Sequence, residues 1–183
     1  MVKEKISNGL RYMANEKNLV ILGGILTLIS IYLLSWFTYL LGTNHYANGM
    51  GGIQNLLHIF TNGKEYAFAY GVPLWATILM VAFIITVLAC GFMQLCGKKS
   101  YFLGYFGSVI ALLLGLITII GANIGLIGFH RILYLFGGDP LIEGYVPLHI
   151  VIPGRPETIA TYILIAGGII GLFPMLGGLK KRE

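Results

Sequence analysis

Hydrophobic positions fall into four long blocks, at 19–41, 72–95, 101–127 and 159–179, and polar positions gather between them. Each block has about 20 or more mostly apolar residues, the length that carries a helix across a hydrocarbon core roughly 30 Å thick. The pattern predicts an all-α integral membrane protein, a four-transmembrane-helix bundle built as a single membrane domain over 1–183. At about 1.5 Å per residue the third block is longer than the core requires, so it should tilt or project.

Small residues punctuate these blocks at helical spacing. In the third, Gly104, Ser108, Ala111, Gly115, Thr118, Ala122 and Gly125 recur at steps of four and three, which puts them on one stripe of a helix. Such a stripe admits a neighbouring backbone at close range while the bulky faces meet lipid. Gly167 and Gly171 form a GxxxG pair in the fourth block, where Pro174 predicts a kink. The first block has Gly23, Gly24, Thr27 and Ser30 early, then Trp36, Phe37 and Tyr39, which are expected at a membrane interface. Only residues 97–100 separate the second block from the third, so these two helices should be antiparallel neighbours.

The polar stretches carry weaker signals. Residues 1–17 hold Lys3, Lys5, Arg11 and Lys17 beside Ile6, Leu10 and Met13 at helical spacing, which fits an amphipathic tail on anionic lipid or a solvated one. The basic leader and first block resemble a signal peptide, but the apolar run is too long and lacks a cleavage site, so it is read as a retained anchor. Loop 43–70 opens on turn residues, takes helical spacing at Ile53, Leu56, Leu57 and Phe60, and breaks at 61–64. Tyr66, Phe68 and Tyr70 then alternate as an aromatic girdle or a short strand. Loop 129–156 suggests a helix stop at Gly137, a short edge-like strand in 145–152, and a start for the fourth helix at Pro156 and Glu157.

Composition agrees with this pattern. The chain is 57% hydrophobic and 10% charged, against roughly a quarter charged in soluble proteins. Its mean hydropathy is +0.83, which excludes an ordinary soluble domain. Of twelve Lys and Arg, nine lie in the N-terminal tail, the 97–100 turn and the C-terminus. The positive-inside rule therefore places both termini in the cytoplasm and both long loops outside, with Lys98, Lys99, Lys180, Lys181 and Arg182 as anchors to anionic lipid.

Candidate chemistry is sparse. The four blocks contain no ionisable Asp, Glu, Lys, Arg or His, which argues against a proton relay, charge-coupled transport or a voltage sensor. Gln94 and Asn123 are the strongest polar groups there, each expected to hydrogen-bond a neighbouring helix for about 0.6 kcal/mol. Cys90 and Cys96 are read as buried apolar thiols. His45, His58, His130 and His149 all fall in the two loops and are the candidate metal ligands, but no pair has a dedicated spacing. No metal, cofactor or catalytic residue is expected. Ile53, Leu56, Leu57, Phe60, Tyr134 and Phe136 make the loops apolar for exposed segments and are the candidate partner contacts.

Four helices with two outer loops are similar in topology to claudin-like and other tetraspan proteins. The similarity is topological alone, because the external Trp and paired Cys of a claudin loop and the Cys-Cys-Gly loop of tetraspanins have no counterpart here. The expectation is a non-enzymatic multi-pass protein of the cell membrane, a structural or accessory subunit that packs with membrane lipids and with other membrane proteins or itself. It is expected not to bind nucleic acid. The alternatives are a small transporter or pore for neutral or apolar solutes and, more weakly, a redox or metal-binding subunit using the loop histidines.

Overall fold

Five helices carry most of residues 16–36, 46–124, 135–138 and 148–179, the part of the chain that the computed structural model describes. They are α1 (Glu16–Tyr32), α2 (Gly49–Tyr70), α3 (Leu74–Cys96), α4 (Tyr101–Ile124) and α5 (Ile159–Leu179). Two-residue strands β1 (Tyr46–Ala47) and β2 (Gly137–Gly138) pair antiparallel. The fold class is all-α. Two helices, α3 and α4, are long and apolar enough to cross a membrane, and α1 and α5 contain shorter apolar stretches. The 1–15 tail, Gly125, Tyr134, Lys180, Lys181 and Arg182 lie outside the described residues.

Contacts run from α1 to α3, α3 to α4, α4 to α5 and α5 back to α1, while α2 lies on α3. Small residues set this order. The buried positions of α4 are Gly104, Gly107, Ser108, Ala111, Leu114, Gly115, Thr118 and Gly121, one stripe at helical spacing. Those of α3 are Thr77, Ile84, Val87, Cys90, Gly91 and Gln94. Their remaining faces are rich in exposed Leu, Ile and Phe.

The first helix is shorter than the hydrophobic block that encodes it. Nothing in the sequence from Tyr32 to Trp36 stops a helix, yet α1 ends at Tyr32 because the backbone finds other partners. Leu34 pairs in parallel with Leu148, and Ser35 N–H donates to Leu148 O at 3.1 Å. Trp36 N–H donates to Ala47 O at 2.9 Å, and Trp36 O accepts from Thr158 N–H at 3.2 Å. The short stretch from Leu33 to Trp36 thus ties three distant segments together. Trp36 is buried to 1% exposure, its Nε1–H donating to Ser30 O at 2.9 Å.

Loop 43–70 also departs from the reading. Asn48, in extended geometry, caps α2 through its Oδ1, which accepts from the N–H groups of Met50 and Gly51 at 3.1 and 3.2 Å. The break expected at 61–64 is a kink at Asn62 (φ −135°, ψ 46°), after which the helix resumes. Tyr66, Phe68 and Tyr70 are therefore helical, not a strand. Gly71, at φ 62° in the left-handed region, ends the helix, and Pro73 opens α3. Of the strand expected in 145–152, the described residues show isolated bridges at Leu148 and Val151, and α5 begins two residues after Glu157.

Candidate functional site

Where the helices cross, glycines bring backbones into contact. A Cβ added at Gly23 of α1 would lie 2.7 Å from both Gly167 O and Gly171 N of α5. One at Gly168 would meet Leu112 N of α4 at 2.7 Å, and one at Gly107 would meet Cys90 O of α3 at 2.5 Å. Gly115 faces Ile165 and Thr161 in the same way, the nearest atom being Ile165 Cγ1 at 2.5 Å. These approaches leave no room for side chains at the crossing points. Of the small-residue stripe, Ala122 is half-buried.

Three polar side chains from three helices converge on one turn of α5. A Cβ at Gly171 would lie 2.5 Å from Ser108 Oγ and 3.5 Å from both Cδ and Nε2 of Gln94. A Cβ at Gly167, one turn earlier, would lie 2.6 Å from Thr27 Oγ1. All three side chains are fully buried. Ser108 Oγ–H donates to Gly104 O at 2.7 Å. Thr27 Oγ1 and both amide atoms of Gln94 have no hydrogen-bond partner among the described residues. Gln94 thus does not bond a neighbouring helix as the sequence suggests. The surrounding helical backbone already spends its N–H and C=O groups on its own ladder, so it has little to offer.

A second polar cluster lies where α4 ends and α5 begins, and here the one buried carboxylate has its partners. Glu157 has no exposed surface. Its Oε1 accepts from Tyr162 O–H at 2.8 Å and lies 3.9 Å from Arg155 Nη1, and its Oε2 accepts from Asn123 Nδ2–H at 3.2 Å. Asn123 Oδ1 in turn accepts from Arg155 Nη1–H at 3.4 Å. The sequence places Glu157 at a helix start, where a solvated carboxylate would be ordinary, and gives no sign of this burial. Thr158 Oγ1–H to Ser35 O and Thr161 Oγ1–H to Trp36 O (3.0 Å) fasten the same end of α5 to the extended segment of α1.

A third cluster holds α2 against the loops. Asn55 Nδ2 donates to Leu135 O at 3.1 Å and Gly137 O at 2.8 Å, while its Oδ1 accepts from Tyr66 O–H at 3.1 Å. Phe136, one of the candidate partner contacts, is fully buried, its ring 5.1 Å from Trp36 and 5.9 Å from Phe83. It has no surface to offer a partner, because the 135–138 segment tucks under α2 at Gly51 and Gly52. Asn55 is a site residue the sequence reading missed. Its spacing from Gly51, Gly52 and Ile59, a polar residue on the buried stripe of an amphipathic helix, was the available signal.

The other candidates are scattered. Leu57 and Phe60 are 53% and 69% exposed, whereas Ile53 and Leu56 are half-buried. Lys98 and Lys99 are exposed in the α3–α4 turn. His58 and His149 are exposed, His45 and His130 lie outside the described residues, and no three His, Cys, Asp or Glu side chains gather among the described residues. Cys90 is buried, but Cys96 is exposed, contrary to the reading of two buried thiols.

Protein-family models, curated proteins and solved structures offer no match to this chain. The functional reading rests on the geometry alone.

Proposed function

We propose that the chain is a multi-pass membrane protein in which α1, α3, α4 and α5 all cross the bilayer, with both termini cytoplasmic. In this reading it is a non-catalytic structural or accessory subunit that docks another membrane protein, or a second copy, through α2. The lengths are compatible with four spans. Seventeen helical residues rise about 26 Å, and the extended 34–36 segment adds up to about 10 Å, together enough for a core of roughly 30 Å. Extended backbone at membrane depth is tolerated where protein covers it, and Leu34, Ser35 and Trp36 are buried and paired. Lys98 and Lys99 would then meet anionic headgroups on the cytoplasmic side.

The observation that carries the docking role is the outward face of α2. Leu57, Phe60 and Phe68 are 53%, 69% and 89% exposed on a helix whose other side is fixed by Asn55 and Tyr66. Lys64 and Glu65 are exposed on the same helix, which fits a membrane-surface position rather than a span. Exposed large apolar side chains of this kind mark a contact site.

The test is purification from the native membrane in mild detergent, with mass and composition determined. A stoichiometric partner, or a dimer, that is lost in Phe60→Ser/Phe68→Ser protein of unchanged melting temperature supports the reading. A homogeneous monomer in both proteins rejects it.

A further inference from the structure

The stretch that leads into α5 has no part in docking at α2. Leu148, Ile150 and Val151 are 64%, 48% and 48% exposed, and no charged residue occurs from Leu148 to Gly154. Its backbone is paired at both ends. Leu148 N–H donates to Leu33 O at 2.9 Å and Leu148 O accepts from Ser35 N–H, while Ile150 O accepts from Ile159 N–H at 3.1 Å and Val151 bridges Thr158. Pro153 and Gly154, the latter at φ 76°, turn the chain so that Arg155 N–H donates to Ile152 O at 3.1 Å. The tip of this small hairpin is open, since a Cβ at Gly154 would meet nothing within 4 Å among the described residues. Apolar side chains on a paired backbone are what hydrocarbon tolerates. The face of α2 differs, because Lys64 and Glu65 are exposed on it.

Two helix lengths set the height of this stretch in a bilayer. α1 begins at the charged Glu16 and Lys17, and its seventeen residues rise about 26 Å before Leu33, the partner of Leu148. Leu148 therefore lies just inside the far edge of a core roughly 30 Å thick. α4 begins just after Lys98 and Lys99, and its 24 residues rise about 36 Å. Asn123, one residue from its end, accepts from Arg155 Nη1–H at 3.4 Å, so the guanidinium lies just outside the core, at the level of lipid phosphates. Arg155 is half-exposed, and the buried Glu157 carboxylate 3.9 Å away offsets its charge, which lowers the cost of placing it beside hydrocarbon. Of its five guanidinium N–H groups one is engaged among the described residues, and the rest of the fork suits a phosphate. We infer that the 148–155 segment lies in the outer leaflet, with Leu148, Ile150 and Val151 against acyl chains and Arg155 on a phospholipid phosphate. His149, exposed among them, has the amphipathic ring that such a boundary accepts. The inference rests on the four-span reading of the chain.

The experiment is spin labelling of the full-length protein in vesicles of phosphatidylcholine and phosphatidylglycerol. Leu148→Cys, Ile150→Cys and Val151→Cys are each made in Cys96→Ser protein, Cys90 being buried. The nitroxide is relaxed either by oxygen, which partitions into lipid, or by a water-soluble nickel chelate. The oxygen-to-nickel ratio at all three sites is expected to be several-fold above that of Lys64→Cys, exposed on α2. Ile169→Cys, on the exposed face of α5, tests the span itself. A high ratio at Ile169 with ratios at the three sites no higher than at Lys64 overturns the inference and leaves the four-span reading standing. A low ratio at Ile169 overturns that reading and the inference with it. Labels at the three sites shielded from both reagents mean that protein, a partner or a second copy, covers the segment, which also overturns it. In phosphate-free buffer, lipid phosphorus is expected to dephase the carbon-13 signal of the Arg155 guanidinium in solid-state NMR, identified as the part lost in Arg155→Gln. No dephasing, or dephasing only after inorganic phosphate is added, overturns the lipid phosphate as the ligand.

Discussion

Asn55 and Gln94 carry the same amide group into the interior, to 9% and 0% exposure, and fare differently. Asn55 reaches two loop carbonyls and a tyrosine hydroxyl. Gln94 reaches nothing among the described residues. What separates them is the state of the neighbouring backbone. Around Asn55 the chain at 135–138 is irregular, so its carbonyls are free to accept. Around Gln94 four helices have consumed their own donors and acceptors. Glu157, at a helix–loop junction, is engaged by the side chains of Tyr162 and Asn123, while Thr27, inside α1, has no partner among the described residues. At Asn55 irregular backbone gives a buried amide its partners, whereas the helix crossings are settled by removing side chains altogether.

The glycine crossings should therefore be the least tolerant positions. Gly167→Leu puts a four-carbon side chain where its first atom alone meets Thr27 Oγ1 at 2.6 Å and Gly23 O at 2.9 Å. Overpacking costs about 1–3 kcal/mol in a close-packed core and occasionally more, and backbone on the far side cannot yield by changing rotamer. Gly167→Leu and Gly23→Leu should fall at or beyond the top of that range, read as loss of a cooperative melt in detergent. An unchanged melt for either would show that α1 and α5 do not pack backbone to backbone.

Asn55→Leu comes next. It strands Leu135 O, Gly137 O and the Tyr66 hydroxyl, and unpaired buried groups cost about 1–3 kcal/mol each at most. A loss of about 2 kcal/mol is expected, with faster hydrogen exchange in α2 than in α4. Equal exchange in the two helices would show that Asn55 does not hold α2 to the loop.

At Glu157 a smaller effect is expected, because Tyr162 and Arg155 are partly exposed and can turn to water. Glu157→Ala should cost about 1 kcal/mol, and Glu157→Gln, which keeps an acceptor for Tyr162, less than half of that. Thermal melts of the two variants in the same detergent give the ratio. Equal losses would mean that the charge, and not the acceptor geometry, is what the cluster uses.

Much of this contrast follows from what periodicity can and cannot encode. The helical character of the chain and the apolar length of α3 and α4 were legible, because a stretch without charges over twenty or more residues has few other solutions. The extended segment at 34–36 was not. Leu33, Leu34, Ser35 and Trp36 carry no helix stop, and only the carbonyls and amides of Ala47, Leu148 and Thr158, far away in sequence, draw the backbone out of the helix. Phe136 was misplaced for a related reason. Large hydrophobes in a loop look the same in sequence whether they face a partner or cover a core. The buried polar groups split along the same line, since Gln94 is conspicuous in an apolar block while Glu157 and Asn55 sit among polar neighbours that disguise their burial.

The smallest effect is the most discriminating. Gln94→Leu makes nearly the same chemical change as Asn55→Leu, amide to branched alkyl, at a site still more closed to solvent. It strands no protein partner, because Gln94 has none among the described residues. Replacing an amide with an apolar group of similar volume is close to neutral or stabilising when no partner is left behind. The melting temperature of Gln94→Leu should therefore match or exceed that of the unaltered chain, while Asn55→Leu falls well below it. If both variants lose the same stability, then Gln94 is held by protein groups after all, and available backbone would not be what divides the two amides.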